Sequence, residues 1–220
     1  MLSLDMKKYY LSLFFFLMSI LLFAQKIEGN KISHVYEVSG VKAEEIFSKI
    51  NFAVSLIYQN PNDVIKFKDD HSNRMVIKAV ASVPVLDAYK LMNPNNSNLS
   101  DYIDYKHNYT IVIAVRDEKY RIELIYQDGK YSDSQLTEYK LPFSAKMDYI
   151  TTDIEEIIKQ ATQEMNQEYY GSTSKKKKEI YIQSQPRVVR QYQQTLKDYA
   201  TIFFQILYKK VLDDLKQEDW

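Results

Sequence analysis

Residues 105–131 read YKHNYTIVIAVRDEKYRIELIYQDGKY, and they fold back on themselves as a β-hairpin once Asp117-Glu118 is taken as the turn. Val115 then faces Tyr120, Ile113 faces Ile122, Ile111 faces Leu124 and Tyr109 faces Tyr126. The alternate positions match Arg116 with Lys119, Ala114 with Arg121 and Val112 with Glu123. One register thus sorts both strands into an apolar and a polar face, which a random apolar run would not do.

Outward from this hairpin, Asp63 to Asp69 and Asn73 to Val83 read as a second strand pair joined by Asp70-His71-Ser72. Pairing across that three-residue tip places Ile65, Phe67, Met75 and Ile77 on a common apolar face and Lys66, Lys68, Arg74 and Lys78 on the opposite one. Pro84 is read as the end of the second strand, and residues 85–104 as a loop or insertion. Further upstream, Ile46, Phe47, Ile50, Val54, Ile57 and Tyr58 recur at helical spacing until Asn60-Pro61, and His34 to Val38 is a short strand. Beyond the hairpin, residues 132–149 cross irregularly with Pro142. Thr152 and Glu155 then form a capping-box pattern for a helix with the stripe Ile154, Ile157, Ile158, Ala161, Met165 and Tyr169. The Lys175–Lys178 run reads as a solvated break after Gly171. A long final helix spans residues 190–216 through Tyr192, Leu196, Tyr199, Phe203, Leu207 and Val211.

Strand, helix, four strands and two helices make an α+β domain. Its expected form is an antiparallel five-stranded sheet in β-α-β4-α order, helices packed on one face, with an extra helix before the C-terminal one. The domain is expected over residues 33–216 after a polar lead at 25–32, with additions at 85–104 and 140–189.

The start of the chain addresses it for export. Met6-Lys7-Lys8 is basic, residues 9–23 are apolar, and Ala24-Gln25 offers a cleavage point. The apolar run is shorter than the ~20 residues of a membrane-spanning helix, so residues 1–24 are expected to be a signal peptide, with an inner-membrane anchor through 9–23 as the alternative. The expected compartment is the periplasm or the exterior. The chain has no cysteine, which excludes a lipoprotein anchor, disulfides and a thiol nucleophile. After removal of residues 1–24 it carries 27 basic and 28 acidic side chains (29 less Lys7 and Lys8; 29 less Asp5), so bulk charge names no partner.

The pieces HVYEVSGVKAEEIFSKI at 34–50, IKFKDDHSNRMVIKAV at 65–80 and YTIVIAVRDEKYRIELIYQDGKY at 109–131 resemble a domain-of-unknown-function family with a TBP-like fold, found in exported proteins of Gram-negative bacteria. The resemblance covers roughly residues 33–131 and the C-terminal helix. It implies the same β-α-β4-α order and supplies no catalytic residues. Family members usually carry glycine near Asn73, where this chain does not.

No pattern for nucleophilic hydrolysis or zinc binding is assigned: G-x-S-x-G and H-E-x-x-H are absent, and the four glycines are too scattered to cradle a phosphate. His34, His71 and His107 lie in separate segments. Asp69-Asp70-His71 reads as a polar turn, and Asp153, Glu155 and Glu156 as helix capping. The 19 tyrosines suggest sugar stacking, yet Tyr36, Tyr109, Tyr120, Tyr126 and Tyr199 fall on core faces. No catalytic, metal or cofactor residue is therefore assigned. One constellation is left, an anion-binding sheet face of Lys66, Lys68, Arg74, Lys78 and Arg121. Acidic glycan, lipopolysaccharide, an envelope protein or a second copy of the chain are the expected partners, and nucleic acid does not suit the compartment. The expectation is a non-enzymatic binding or assembly module of the cell envelope. The alternative is an enzyme using carboxylates between the long helix and the 140–189 addition.

Overall fold

The computed structural model describes residues 25–131, 153–167 and 170–216. The expected export signal, the crossing segment with Pro142, Thr152 and Tyr169 lie outside the described residues. Six strands form one antiparallel sheet, not five: β1 (Lys26–Glu28), β2 (Lys31–Glu37), β3 (Ile65–Asp69), β4 (Arg74–Leu86), β5 (Tyr102–Arg116) and β6 (Lys119–Tyr131), in the order β1-β2-β6-β5-β4-β3. The extra strand, β1, comes from the polar lead. Gly29-Asn30 forms a two-residue turn between the paired Glu28 and Lys31, with Gly29 at φ 55, the left-handed conformation such a turn requires.

The helices are α1 (Ala43–Ile57), the short α2 (Pro61–Val64) and α3 (Ala88–Met92), α4 (Ile154–Met165) and α5 (Lys175–Lys216). α1 and α5 lie across one face of the sheet. Ile32, Met75, Ile77, Ile111, Ile113, Ile122 and Leu124 are fully buried beneath Ile46, Ile50 and Val54 of α1 and Phe204, Leu207 and Val211 of α5. α4 packs on α5. Asp153 caps it, its carboxylate accepting from the Glu155 backbone N–H.

The β5–β6 hairpin has the register read from the sequence, from Arg116 opposite Lys119 to Tyr109 opposite Tyr126, after which it shifts at His107. Its turn is tied to the chain preceding α1. Glu118, at φ 63, donates its N–H to the Val41 carbonyl and accepts from the Val38 N–H. Asp117 accepts the Ala43 N–H at 2.9 Å, so the first free amide of α1 is satisfied by a side chain from the hairpin turn.

The β3–β4 hairpin departs from the expected register. Asp69 faces Arg74, Lys68 faces Met75 and Phe67 faces Val76, so the turn contains residues 70–73 and not three residues. Asp69 accepts the His71 N–H and the Ser72 hydroxyl, and Asn73 completes the turn at φ 49. Asparagine is among the non-glycine residues that tolerate this region best, which accounts for its place at the end of the turn. The consequence is a flip of two side chains: Phe67 is 51% exposed on the open face, and Lys68 lies on the helix side with its ammonium 6.0 Å from the centre of the Phe47 ring. A bulge between Ile65 and Phe67 returns Ile65 to Ile77.

Pro84 does not end β4, and β5 begins within the expected loop, at Tyr102. Gln191 of α5 explains why: its side-chain amide donates to the Pro84 carbonyl and accepts the Leu86 N–H, both at 3.0 Å. Pro84 thus turns its missing N–H to an edge where no strand pairs, the place a sheet tolerates proline. α5 likewise begins fifteen residues before the expected start, with Lys175–Lys178 as its first turn and Pro186 inside it. Ser174 accepts from the Lys177 and Lys178 amides, and Tyr181, Gln185, Val188 and Val189 continue the buried stripe. Packing thus overrides an unfavourable basic N-terminus and an interior proline.

Candidate functional site

The five cations expected on one face do not form a cluster. Arg74 and Arg121 flank Ala114 in one cross-strand row, and Lys78 stands opposite Thr110 two rows away. Lys66 sits in the bulge and donates to the Asp63 carbonyl at 2.5 Å, and Lys68 is on the other side of the sheet. Arg121 and Lys31 both pair with Glu123, at 3.4 and 3.9 Å. Between these charges runs the apolar row Phe67, Val76 and Val112. The open face is therefore mixed, with its basic character reduced by Glu123 and by the loss of Lys68.

A concave site lies where this face meets the sheet edge. β3 pairs β4 only as far as Ile77, and Gln191 covers the edge at Pro84 and Leu86. Backbone groups of alternate residues point to one side of a strand, so those of Lys78, Val80 and Ser82 share the unpaired edge with Pro84 and Leu86. Against this stretch, Ile57 and Tyr58 at the end of α1, Val64 of α2 and Tyr199 and Phe203 of α5 enclose a cleft of about 560 Å³. Tyr109 of β5 reaches its floor.

The polar groups of the cleft converge. The Tyr199 hydroxyl donates to that of Tyr109 at 3.3 Å, and the Tyr58 and Tyr109 hydroxyls are 3.1 Å apart. Burial pushes the Tyr58 hydroxyl up to about 12 and raises Tyr109 and Tyr199 as well, so all three are neutral donors at physiological pH. Lys78 is exposed at the rim and forms no ion pair among the described residues. The lining contains no Asp, Glu, His or Ser.

A second tyrosine cluster is closed. Glu164 of α4 is 8% exposed and accepts from the hydroxyls of Tyr170 at 3.3 Å and Tyr181 at 3.4 Å, while Tyr89 of α3 bonds Tyr170 at 2.6 Å. Burial pushes the Glu164 carboxyl up to about 7 against the pull of those two bonds. The sequence reading passed over Glu164, although it falls on the stripe of Ile157, Ala161 and Met165. His107 is also buried, held between the Tyr192 hydroxyl and the Gln127 carbonyl. Among the described residues no group of three or more His, Cys, Asp or Glu could hold a metal ion, and no helix is long and apolar enough to cross a membrane.

Sheet, helix order and register define an α+β protein of TBP-like fold. Residues 33–126 match the model of a family described as a domain of unknown function (DUF4468) with TBP-like fold. A DUF4468 family protein from Bacteroides ovatus has a similar crystal structure, with a TM-score of 0.53 at 14% identity over 84% of this chain and 88% of that one. A TBP-like protein from Parabacteroides distasonis gives a TM-score of 0.44 at 16% identity over 85% and 96%. No curated protein matches the chain.

Proposed function

We propose that this protein is an exported, non-enzymatic binding module of the bacterial cell envelope, and that its ligand site is the cleft beside Lys78. The observation that carries this reading is the convergence of three tyrosine hydroxyls in an apolar recess of about 560 Å³, the size and make-up of a small-molecule site. The lining offers phenol donors, one ammonium and apolar contact, and contains no carboxylate, imidazole or serine hydroxyl. Export rests on the basic and apolar start of the chain. Native mass spectrometry of the full chain, expressed with its leader and recovered from the periplasm, tests both parts. The expected result is a mature N-terminus near Gln25 and a bound small molecule that Val80→Trp, which places an indole at the mouth, displaces. A retained leader counts against export, and a ligand indifferent to Val80→Trp counts against the cleft.

Glu164 favours a second reading, an enzyme using a carboxylate between α5 and the 140–189 addition, because it is a proton-holding group in that position. Its enclosure by Tyr170 and Tyr181 supports a packing role instead. Loss of a hydrolytic activity in Glu164→Gln, with folding intact, would decide for the enzyme.

A further inference from the structure

We propose that the cleft takes a small amphipathic anion, a molecule with an apolar body and a single anionic head; this rests on the cleft being the binding site. The first argument is a count of hydrogens. Tyr58, Tyr109 and Tyr199 bring one hydroxyl hydrogen each. Two are used in the bonds that join them, the first from Tyr199 to Tyr109 and the second between Tyr109 and Tyr58. One hydrogen is left over whichever way the second bond runs, so the cluster presents an unspent donor to whatever enters. Three neutral phenols held together in this way ask for an acceptor.

The second argument is charge. Lys78 is the one ionic side chain in the lining, and it stands at the rim with no acidic partner among the described residues. A cationic ligand would meet Lys78 and find no carboxylate in the cleft. A neutral apolar ligand would leave both the ammonium and the spare hydroxyl hydrogen unused. An anion satisfies both, and a charge-assisted hydrogen bond is about twice as strong as a neutral one. The remaining walls, Ile57, Val64, Val80 and Phe203, match an apolar body and offer it no hydrogen-bonding side chain. The head therefore lies between Lys78 and the tyrosines, and the body runs along α1, α2 and α5.

Isothermal titration of the full mature chain with three ten-carbon probes, decanoate, decanol and decyltrimethylammonium, separates the claims. Decanoate is expected to bind one per chain, about tenfold tighter than decanol, the factor that about 1.4 kcal/mol supplies, with decyltrimethylammonium weakest. Lys78→Gln, at an exposed position, is expected to remove the preference for decanoate while leaving decanol unchanged. Equal affinities for decanoate and decanol in the unmodified chain, or equal weakening of both by Lys78→Gln, would overturn the anion and leave the cleft as an apolar site. Decanoate binding that survives Val80→Trp in a chain shown by its melting curve to be folded, or no binding of any probe, would overturn the cleft itself and the anion with it.

Discussion

Two tyrosine triads sit at different points along α5, one at Tyr181 and the other at Tyr199, and they have been put to different uses. Tyr89, Tyr170 and Tyr181 gather at the Glu164 carboxylate, which receives two of their hydrogens. Tyr58, Tyr109 and Tyr199 meet only one another, in an open recess, and keep one hydrogen unspent. The same side chain thus makes a joint in one place and a site in the other. What separates them is whether the protein itself supplies the acceptor. Where it does, the phenols fasten α4 to α5; where it does not, they wait for a ligand.

The contrast can be broken most severely at Tyr181, which is fully buried. Tyr181→Ala should cost about 3–5 kcal/mol by leaving a cavity and an unsupported carboxyl, measured by urea denaturation. Tyr58→Phe in the open triad should cost less than about 1.5 kcal/mol, since it removes one partly buried hydrogen bond and no volume. Comparable costs at the two positions would mean that both triads are packing joints.

The joint should also sense pH. An unfolded glutamate titrates near 4.5, and burial raises Glu164 to about 7 in the fold. Between these values the folded state keeps a proton that the unfolded state has released, so this group makes stability fall as pH rises from about 4.5 to about 7, with no further change above. Melting temperatures across that range should decline in the unmodified protein, and Glu164→Gln should flatten the decline. The open triad, neutral throughout, should add no slope there. A smaller effect is expected at Asp117, which is exposed: Asp117→Ala should lower the melting temperature by freeing the α1 N-terminus, and Asp117→Asn should restore part of it.

How far these features could be read from the chain depends on how local they are. The β5–β6 register follows from a two-residue turn between long alternating strands, and a slip would have exposed Ile111, Ile113, Ile122 and Leu124 together. In the β3–β4 hairpin the segment IKFKD is short, and alternation alone allowed either Phe67 or Lys68 to face the helices. The Asp69 turn and the left-handed Asn73 decided it. That slip removed Lys68 from the expected anionic-ligand face. Glu164 was legible from its place on the α4 stripe, had a buried carboxylate been entertained. Pro84 and the lysine-rich start of α5 broke local rules because Gln191 and the stripe from Tyr181 to Val189 come from tertiary packing. The cleft was not legible at all: its phenols stand at 58, 109 and 199, and Tyr109 and Tyr199 were assigned to core faces. Lys78 alone joins the expected site to the observed one.

Hydrogen exchange of the mature chain with and without decanoate tests the central claim most directly, because it locates the ligand independently of any substitution. The amides of residues 57–64 and of Lys78 and Val80 should gain protection, while those around Val35, Arg74 and Arg121 on the open face stay unchanged. Protection confined to the open face, or none anywhere under saturating ligand, would contradict the assignment of the cleft as the site.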